Sequence, residues 1–191
     1  SWAATDVGDI ATVVTDGTHK TPRYVDEGIR FVSAKDIREG CLSFNECKYI
    51  TTEEHREISR RCNPERGDIL VSKSGSIGTV VIVDDDEEFS LFESLALIKF
   101  SPSLMNGRFM YYAVRNACNF LEEHHIKGVA VKHLHLNVLR TLPIPLPPLQ
   151  EQNHIVAKID RLMALCDTIE QRITATTGKE AELLDAVMAQ V

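Results

Sequence analysis

The sequence predicts an α+β protein: a β-rich domain with a few helices, followed by a long, coiled-coil-like C-terminal helix. Three observations predict it. Short β-branched runs separated by Gly, Ser and Pro fill the first hundred residues. Four prolines then fall between positions 142 and 148. Beyond them an apolar seam recurs every three or four residues. The domain is therefore set at residues 1–148 and the helix at 149–191.

Each element has a local reason. Residues 10–14 (IATVV) read as a strand that runs into a loop, 15–22, punctuated by Gly17 and Pro22. Residues 29–32 form a short alternating strand. Thr51 and Glu54 have the spacing of a capping box and open a short helix to about Arg61. Residues 68–73 and 79–83 are β-branched runs flanking the Gly/Ser-rich stretch 74–78, which is the pattern of a hairpin. Residues 94–100 are a further strand. Over 103–123 the apolar period changes to three or four, so a helix follows, capped by Ser101 or Ser103 with Pro102 in its first turn.

Prolines 143, 145, 147 and 148 forbid a helix or a central strand. The expectation there is a stiff, extended connector that holds the last helix away from the domain. In that helix Ile155, Ile159, Leu162, Cys166, Ile169 and Ile173 are spaced 4, 3, 4, 3 and 4, which is a heptad seam. The register continues more weakly through Thr176, Glu180, Leu183 and Val187, and fraying or bending is expected between Thr174 and Gly178. Such a seam cannot be buried by its own helix, so a partner helix is expected.

Composition narrows the function. At 191 residues and 43% apolar the chain is globular. No apolar run approaches the roughly 20 residues that span a bilayer. The first residues, SWAATD, lack the basic flank and apolar stretch of a secretory signal. Five cysteines without a C-x-x-C pair argue for reduced thiols in a cytoplasmic protein. The net charge of −7 argues against strong non-specific binding to nucleic acid. Five of the acids form one run at 84–88, however, and outside it residues 1–148 are nearly balanced.

Enzymatic motifs are weak. Glu46-Cys47-Lys48 with Asp36 ten residues before is the minimal outline of a Mg²⁺ nuclease. The triplet is short, and Asp36 falls in a turn. His124, His125, His133 and His135 cluster, and the last two would share one side of a strand, but no further ligand sits at a metal-binding spacing. The loop at 72–78 lacks the G-K-[ST] ending of a phosphate loop and precedes a strand. No nucleophile elbow or dinucleotide fingerprint occurs. The expectation is a protein without catalytic residues, metal or cofactor.

Three segments in order carry a resemblance. They are residues 16–22 (DGTHKTP) with 28–33 (GIRFVS), residues 67–78 (GDILVSKSGSIG), and residues 142–152 (LPIPLPPLQEQ) followed by Ile155 and Val156. Together with the heptad helix they resemble the DNA-specificity subunit of type I restriction–modification systems, over essentially the whole chain. The resemblance implies a non-catalytic reader of double-stranded DNA. Members of that family commonly carry two recognition domains, each followed by a long helix, and the helices pair antiparallel. They recruit methyltransferase (modification) subunits and restriction subunits. Here one domain and one helix are present, so the resemblance implies a half-subunit or a fragment, completed by a second recognition half or by a homodimer.

DNA readout needs donors and acceptors on loops held by a sheet. The candidates are Thr18, His19, Lys20 and Arg23 in the first loop, Lys73, Ser74 and Ser76 at the hairpin tip, and Lys127, Lys132 and His133 ahead of the prolines. Lysines suit phosphates; Ser, Thr, His and Arg suit base edges. The first-loop Thr and His could instead brace the fold. Ile155, Ile159, Leu162, Cys166, Ile169 and Ile173 are the helix-pairing candidates. A rival from another class is a protein-interaction and oligomerisation module, supported by the negative charge.

Overall fold

The computed structural model describes residues 2–38, 40–125 and 133–188. The chain divides into two compact units between Gln152 and Asn153. The first unit begins with β1 (Ala3–Asp6), α1 (Val7–Ile10), β2 (Ala11–Asp16), β3 (Tyr24–Val25) and β4 (Ile29–Val32). A 3-10 turn (Ala34–Asp36) leads to β5 (Ile37–Arg38), β6 (Cys41–Leu42), β7 (Lys48–Ile50) and α2 (Thr52–Ser59). Then come β8 (Ile69–Ser72), β9 (Val80–Ile82), β10 (Phe89–Leu91) and β11 (Leu95–Phe100). They are followed by α3 (Gly107–His125), α4 (Leu136–Arg140), β12 (Pro143–Leu146) and α5 (Leu149–Met188).

The β-branched runs build two four-stranded sheets. One has the order β2-β11-β8-β9 and is antiparallel throughout. The other has the order β10-β4-β7-β3, with β10 parallel to β4. Leu70 and Leu97 of the first sheet share a buried cluster with Val32, Phe89 and Leu91 of the second. Their neighbours Ile69, Val71 and Ile98 are equally buried but on the alternate face, and α3 packs against β8 and β9. Cover on both faces explains why residues 69–71 of β8 and 95–98 of β11 are apolar continuously rather than every second residue.

The hairpin forms where the sequence predicts it, with Leu70 opposite Val81 and Val71 opposite Val80. Thr51 caps α2, its Oγ1 accepting from Glu54 N at 3.2 Å. The reciprocal half of the box is absent: Glu54 Oε1 accepts instead from Arg23 N, 2.9 Å away in the first loop.

Three expectations are corrected. First, α3 starts at Gly107, and its first turn is capped by Asn106, whose Oδ1 accepts from Phe109 N at 3.0 Å. Ser101 and Ser103 bond each other instead, in a preceding turn. Second, the proline segment is a strand, not a free rod. Residues 143–146 pair antiparallel with β1, Ala3 opposite Leu146 and Thr5 opposite Ile144. A two-stranded sheet has only edges, so prolines at alternate positions leave the amides of Ile144 and Leu146 free to pair. Leu142 and Ile144 are buried there. Third, α5 continues through 174–178 without a break. Thr174, Thr176 and Thr177 turn their hydroxyls back to the carbonyls of Glu170, Arg172 and Ile173, which keeps each polar group satisfied within the helix.

The first turn of α5 is fixed inside the first unit by a fully buried Gln152. Its Oε1 accepts from Asn106 N at 2.8 Å, and its Nε2 donates to Leu104 O at 3.1 Å and Pro147 O at 2.9 Å. Beside it, the Trp2 indole donates to Glu151 at 3.0 Å. The second unit is the rest of α5.

Candidate nucleic-acid interface

The first loop leaves β2 through two buried residues, Thr15 and Asp16, and then passes against the turn after β10. Gly17 makes that approach possible, since a Cβ there would lie 2.1 Å from Leu91 O. Thr18 N donates to Leu91 O at 2.9 Å, and Glu93 N donates to Thr18 O at 3.0 Å. The Thr18 hydroxyl closes a small turn with Lys20. One loop is thereby sewn to another by main-chain bonds.

Asp16 is the hub of this region. Its carboxylate lies 2.5 Å from Lys73 Nζ, 2.9 Å from Arg61 and 3.3 Å from His19 Nε2, and its side chain is 5% exposed. Burial pushes the Asp16 carboxyl up, but the Lys73 and Arg61 hydrogen bonds outweigh it and hold the group below its ordinary value. His19 Nδ1 also meets Glu93 at 2.6 Å, and Arg61 donates to Gly17 O at 2.6 Å.

Two of the three predicted segments meet, and the third is described only from His133 onward. Lys73 joins the hairpin to the first loop through Asp16, and Leu134 N, next to His133, donates to Lys73 O at 2.9 Å. Thr18 is half-buried, while His19, Lys20, Arg23, Ser76 and His133 are exposed and Ser74 is half-buried. Lys73 is the correction. It does not stand at a hairpin tip, because its ammonium turns inward to Asp16 and to Glu93 O at 3.0 Å, with the side chain only 12% exposed. The opposite charges attract across a short distance in a site with little water to screen them. Lys127 and Lys132 lie outside the described residues.

Sequence reasoning missed Asp16, Glu93 and Arg61. Asp16 opens the DGTHKTP segment, and the Arg60-Arg61 doublet closes a capped helix, but neither pattern says that the two side chains meet. A shallow pocket of about 220 Å³ lies alongside, lined by Thr18, Lys20, Pro22, Glu54, Glu57, Ile58 and Arg61.

The other candidate chemistry disperses. Asp36 and Glu46 line one pocket, but the Asp36 carboxylate accepts from Ser33 N and Oγ at 2.8 and 2.9 Å, and the Lys48 ammonium sits 4.0 Å over the Tyr24 ring. His133 precedes α4 and His135 is its N-cap residue, so they share no strand. The His124 and His125 side chains lie outside the described set. Among the described residues no three His, Cys, Asp or Glu side chains gather as a metal site, and no helix is long and apolar enough to cross a membrane.

In the second unit, Leu162, Ile169 and Ile173 are 53%, 48% and 61% exposed, and Cys166 is exposed as well. Ile155 and Ile159 are half-buried. Met163 and Leu165 widen the apolar stripe beyond the seam.

The chain is thus a β-rich domain with cross-braced surface loops, followed by a long helix with an exposed apolar seam. The chain belongs to the type I restriction modification DNA specificity domain family, whose model matches residues 1–176. It is 26% identical over 168 residues to the type I restriction enzyme EcoBI specificity subunit of Escherichia coli, covering 87% of this chain and 35% of that protein. It is 29% identical over 124 residues to a type I restriction enzyme specificity subunit, described as putative, of Haemophilus influenzae, covering 64% of this chain and 31% of that one. The chain thus spans about a third of these relatives. The HsdS subunit of Thermoanaerobacter tengcongensis shares the fold, with a TM-score of 0.65 at 18% identity over 89% of this chain and 39% of that one. So does a chain from a structure of the type I R-M system, with a TM-score of 0.69 at 20% identity over 95% of this chain and 42% of that one.

Proposed function

We propose that this chain reads one half of a split duplex DNA site for a type I restriction–modification complex and does no chemistry itself. Residues 1–148 act as one target-recognition domain and residues 149–191 as the spacer helix. The observation that carries the reading is the cluster of loops braced on Asp16 and Lys73 in a chain of this family. Side chains on braced loops meet base edges with little loss of conformational freedom. Thr18, His19, Arg23, Ser74, Ser76 and His133 are the proposed base readers, and Lys20 with Lys127 and Lys132 the phosphate contacts. Lys73 is withdrawn from that set.

The chain needs no cofactor of its own and works in the cytoplasm. Its partners are methyltransferase subunits, with restriction subunits beyond them. The seam from Ile155 to Ile173 pairs with the helix of a second recognition half or of a second copy. A copy related by a two-fold axis would read a symmetric bipartite site. The exposed seam favours pairing: Ile159→Asp with Ile169→Asp should lower the mass found by sedimentation, and an unchanged mass counts against pairing.

The decisive experiment is selection from a pool of randomised DNA duplexes by the chain together with its modification subunits. Enrichment of one base pattern is the expected result. Binding without any preferred pattern favours the rival, a protein-interaction module, to which the net charge of −7 lends support.

A further inference from the structure

Lys73 sits where four loop segments meet, and its bonds reach the other three. Its ammonium reaches Asp16 in the first loop and Glu93 O in the turn after β10. Its own N–H donates to Ser94 O at 2.8 Å, and its carbonyl accepts from Leu134 N at 2.9 Å. Asp16 in turn carries Arg61, which also ties down Gly17 O, and His19. Five of the six proposed base readers stand one to three residues from these joints: Thr18 and His19 beside Asp16, Ser74 and Ser76 beside Lys73, and His133 beside Leu134.

We propose that the Asp16–Lys73 ion pair is a positioning device for sequence specificity: it touches no base, but sets the distances between the loops that do. This rests on the DNA-reading proposal above. Removing the negative charge leaves Lys73 without its anionic partner in a site that is largely closed to water. Its flexible stem then carries the ammonium outward, and the first loop loses its link to the hairpin. The surface gains an exposed positive charge and loses a fixed loop geometry. Affinity for phosphates therefore holds or rises while discrimination between sequences falls. Ordinary destabilisation has a different signature, since it lowers both in proportion to the unfolded fraction.

The test uses the full chain with its modification subunits. The duplex selected by the parent and a scrambled duplex of the same length are bound by the parent and by Asp16→Asn over a series of salt concentrations. The expected result is a fall of about tenfold or more in the ratio of the two affinities, comparable with one lost base contact, and no loss of affinity for the scrambled duplex. Asp68→Asn is the control. It breaks a similar bridge, Lys99 Nζ to Asp68 at 2.7 Å, which none of the reading loops shares, and it should keep the parental ratio. Arg61→Gln, altered at a side chain 53% exposed, takes its place if Asp16→Asn does not fold; it too should lower the ratio. An unchanged ratio in the folded Asp16 or Arg61 variant, or an equal fall in Asp68→Asn, overturns the proposal. A parent with no preferred duplex overturns the DNA-reading proposal beneath it, and this one with it.

Discussion

Gln152→Ala tests how the long helix is tied to the recognition unit. The side chain is fully buried and makes three hydrogen bonds, to Asn106 N, Leu104 O and Pro147 O. Each net bond contributes about 1 kcal/mol, and a buried main-chain group left without a partner costs about 1–3 kcal/mol. Asn106 is also the cap residue of α3, so its own placement depends on this contact. The sum is a loss of about 3–5 kcal/mol, or roughly 10 °C in Tm for a chain of this size. The assay is urea unfolding followed by the single tryptophan, Trp2, whose indole bonds to Glu151 one residue away from the substituted position. Gln150→Ala is the companion. That residue is exposed two positions earlier in the same motif, and its change should stay within about 0.5 kcal/mol. A loss below about 1 kcal/mol for Gln152→Ala, or equal losses for the two variants, would refute the lock.

Other outcomes follow from the same geometry. Gly17→Ala should destabilise severely, because the added Cβ meets the Leu91 carbonyl at 2.1 Å and both backbones are fixed by hydrogen bonds; a normal thermal melt would contradict the close approach. Because Asp16 titrates below its unfolded value, the stability it provides is complete above the ordinary carboxylate range and is lost as pH falls through its folded pKa. The Tm gap between the parent and Asp16→Asn should therefore narrow on acidification, and a gap that stayed constant would remove the ion pair as its cause. Thiol titration of the folded protein should find Cys41 reactive, with Cys166 joining it when the helix is unpaired by Ile159→Asp and Ile169→Asp. Cys47, Cys62 and Cys118 are buried, and burial pushes the Cys62 thiol up to about 12, so reaction of these three before unfolding would contradict the core.

The hairpin of β8 and β9, the Thr51 cap and the forty-residue helix were legible in the sequence. Each is set by neighbours a few positions apart: alternation, an i to i+3 hydrogen bond, a heptad. The first loop and the hairpin were legible as candidate segments, and Asp16 and Lys73 bring these two into contact. What Lys73 does there was not legible. From the sequence it was one more cation in a Gly/Ser loop, and only the buried Asp16, 57 positions away, turns it inward.

The same division runs through the proline segment. Its residues excluded a helix and a central strand, and so determined an extended backbone from local sterics alone. Its pairing with β1 joins Ala3 to Leu146 across nearly the whole domain, and Gln152 closes contacts with Leu104 and Asn106 from the far side of α3 in sequence. The sequence by itself determined β2, β4, β8, β9, β11, α2, α3 and α5, because those depend on torsional preference and short-range periodicity, while the short strands β1, β3, β5, β6, β7 and β10 carry too few residues to show a period. Tertiary structure alone decided which polar groups distant in sequence face one another. A buried charge or amide is satisfied only by a partner that the fold brings within about 3 Å, and no spacing along the chain encodes that distance.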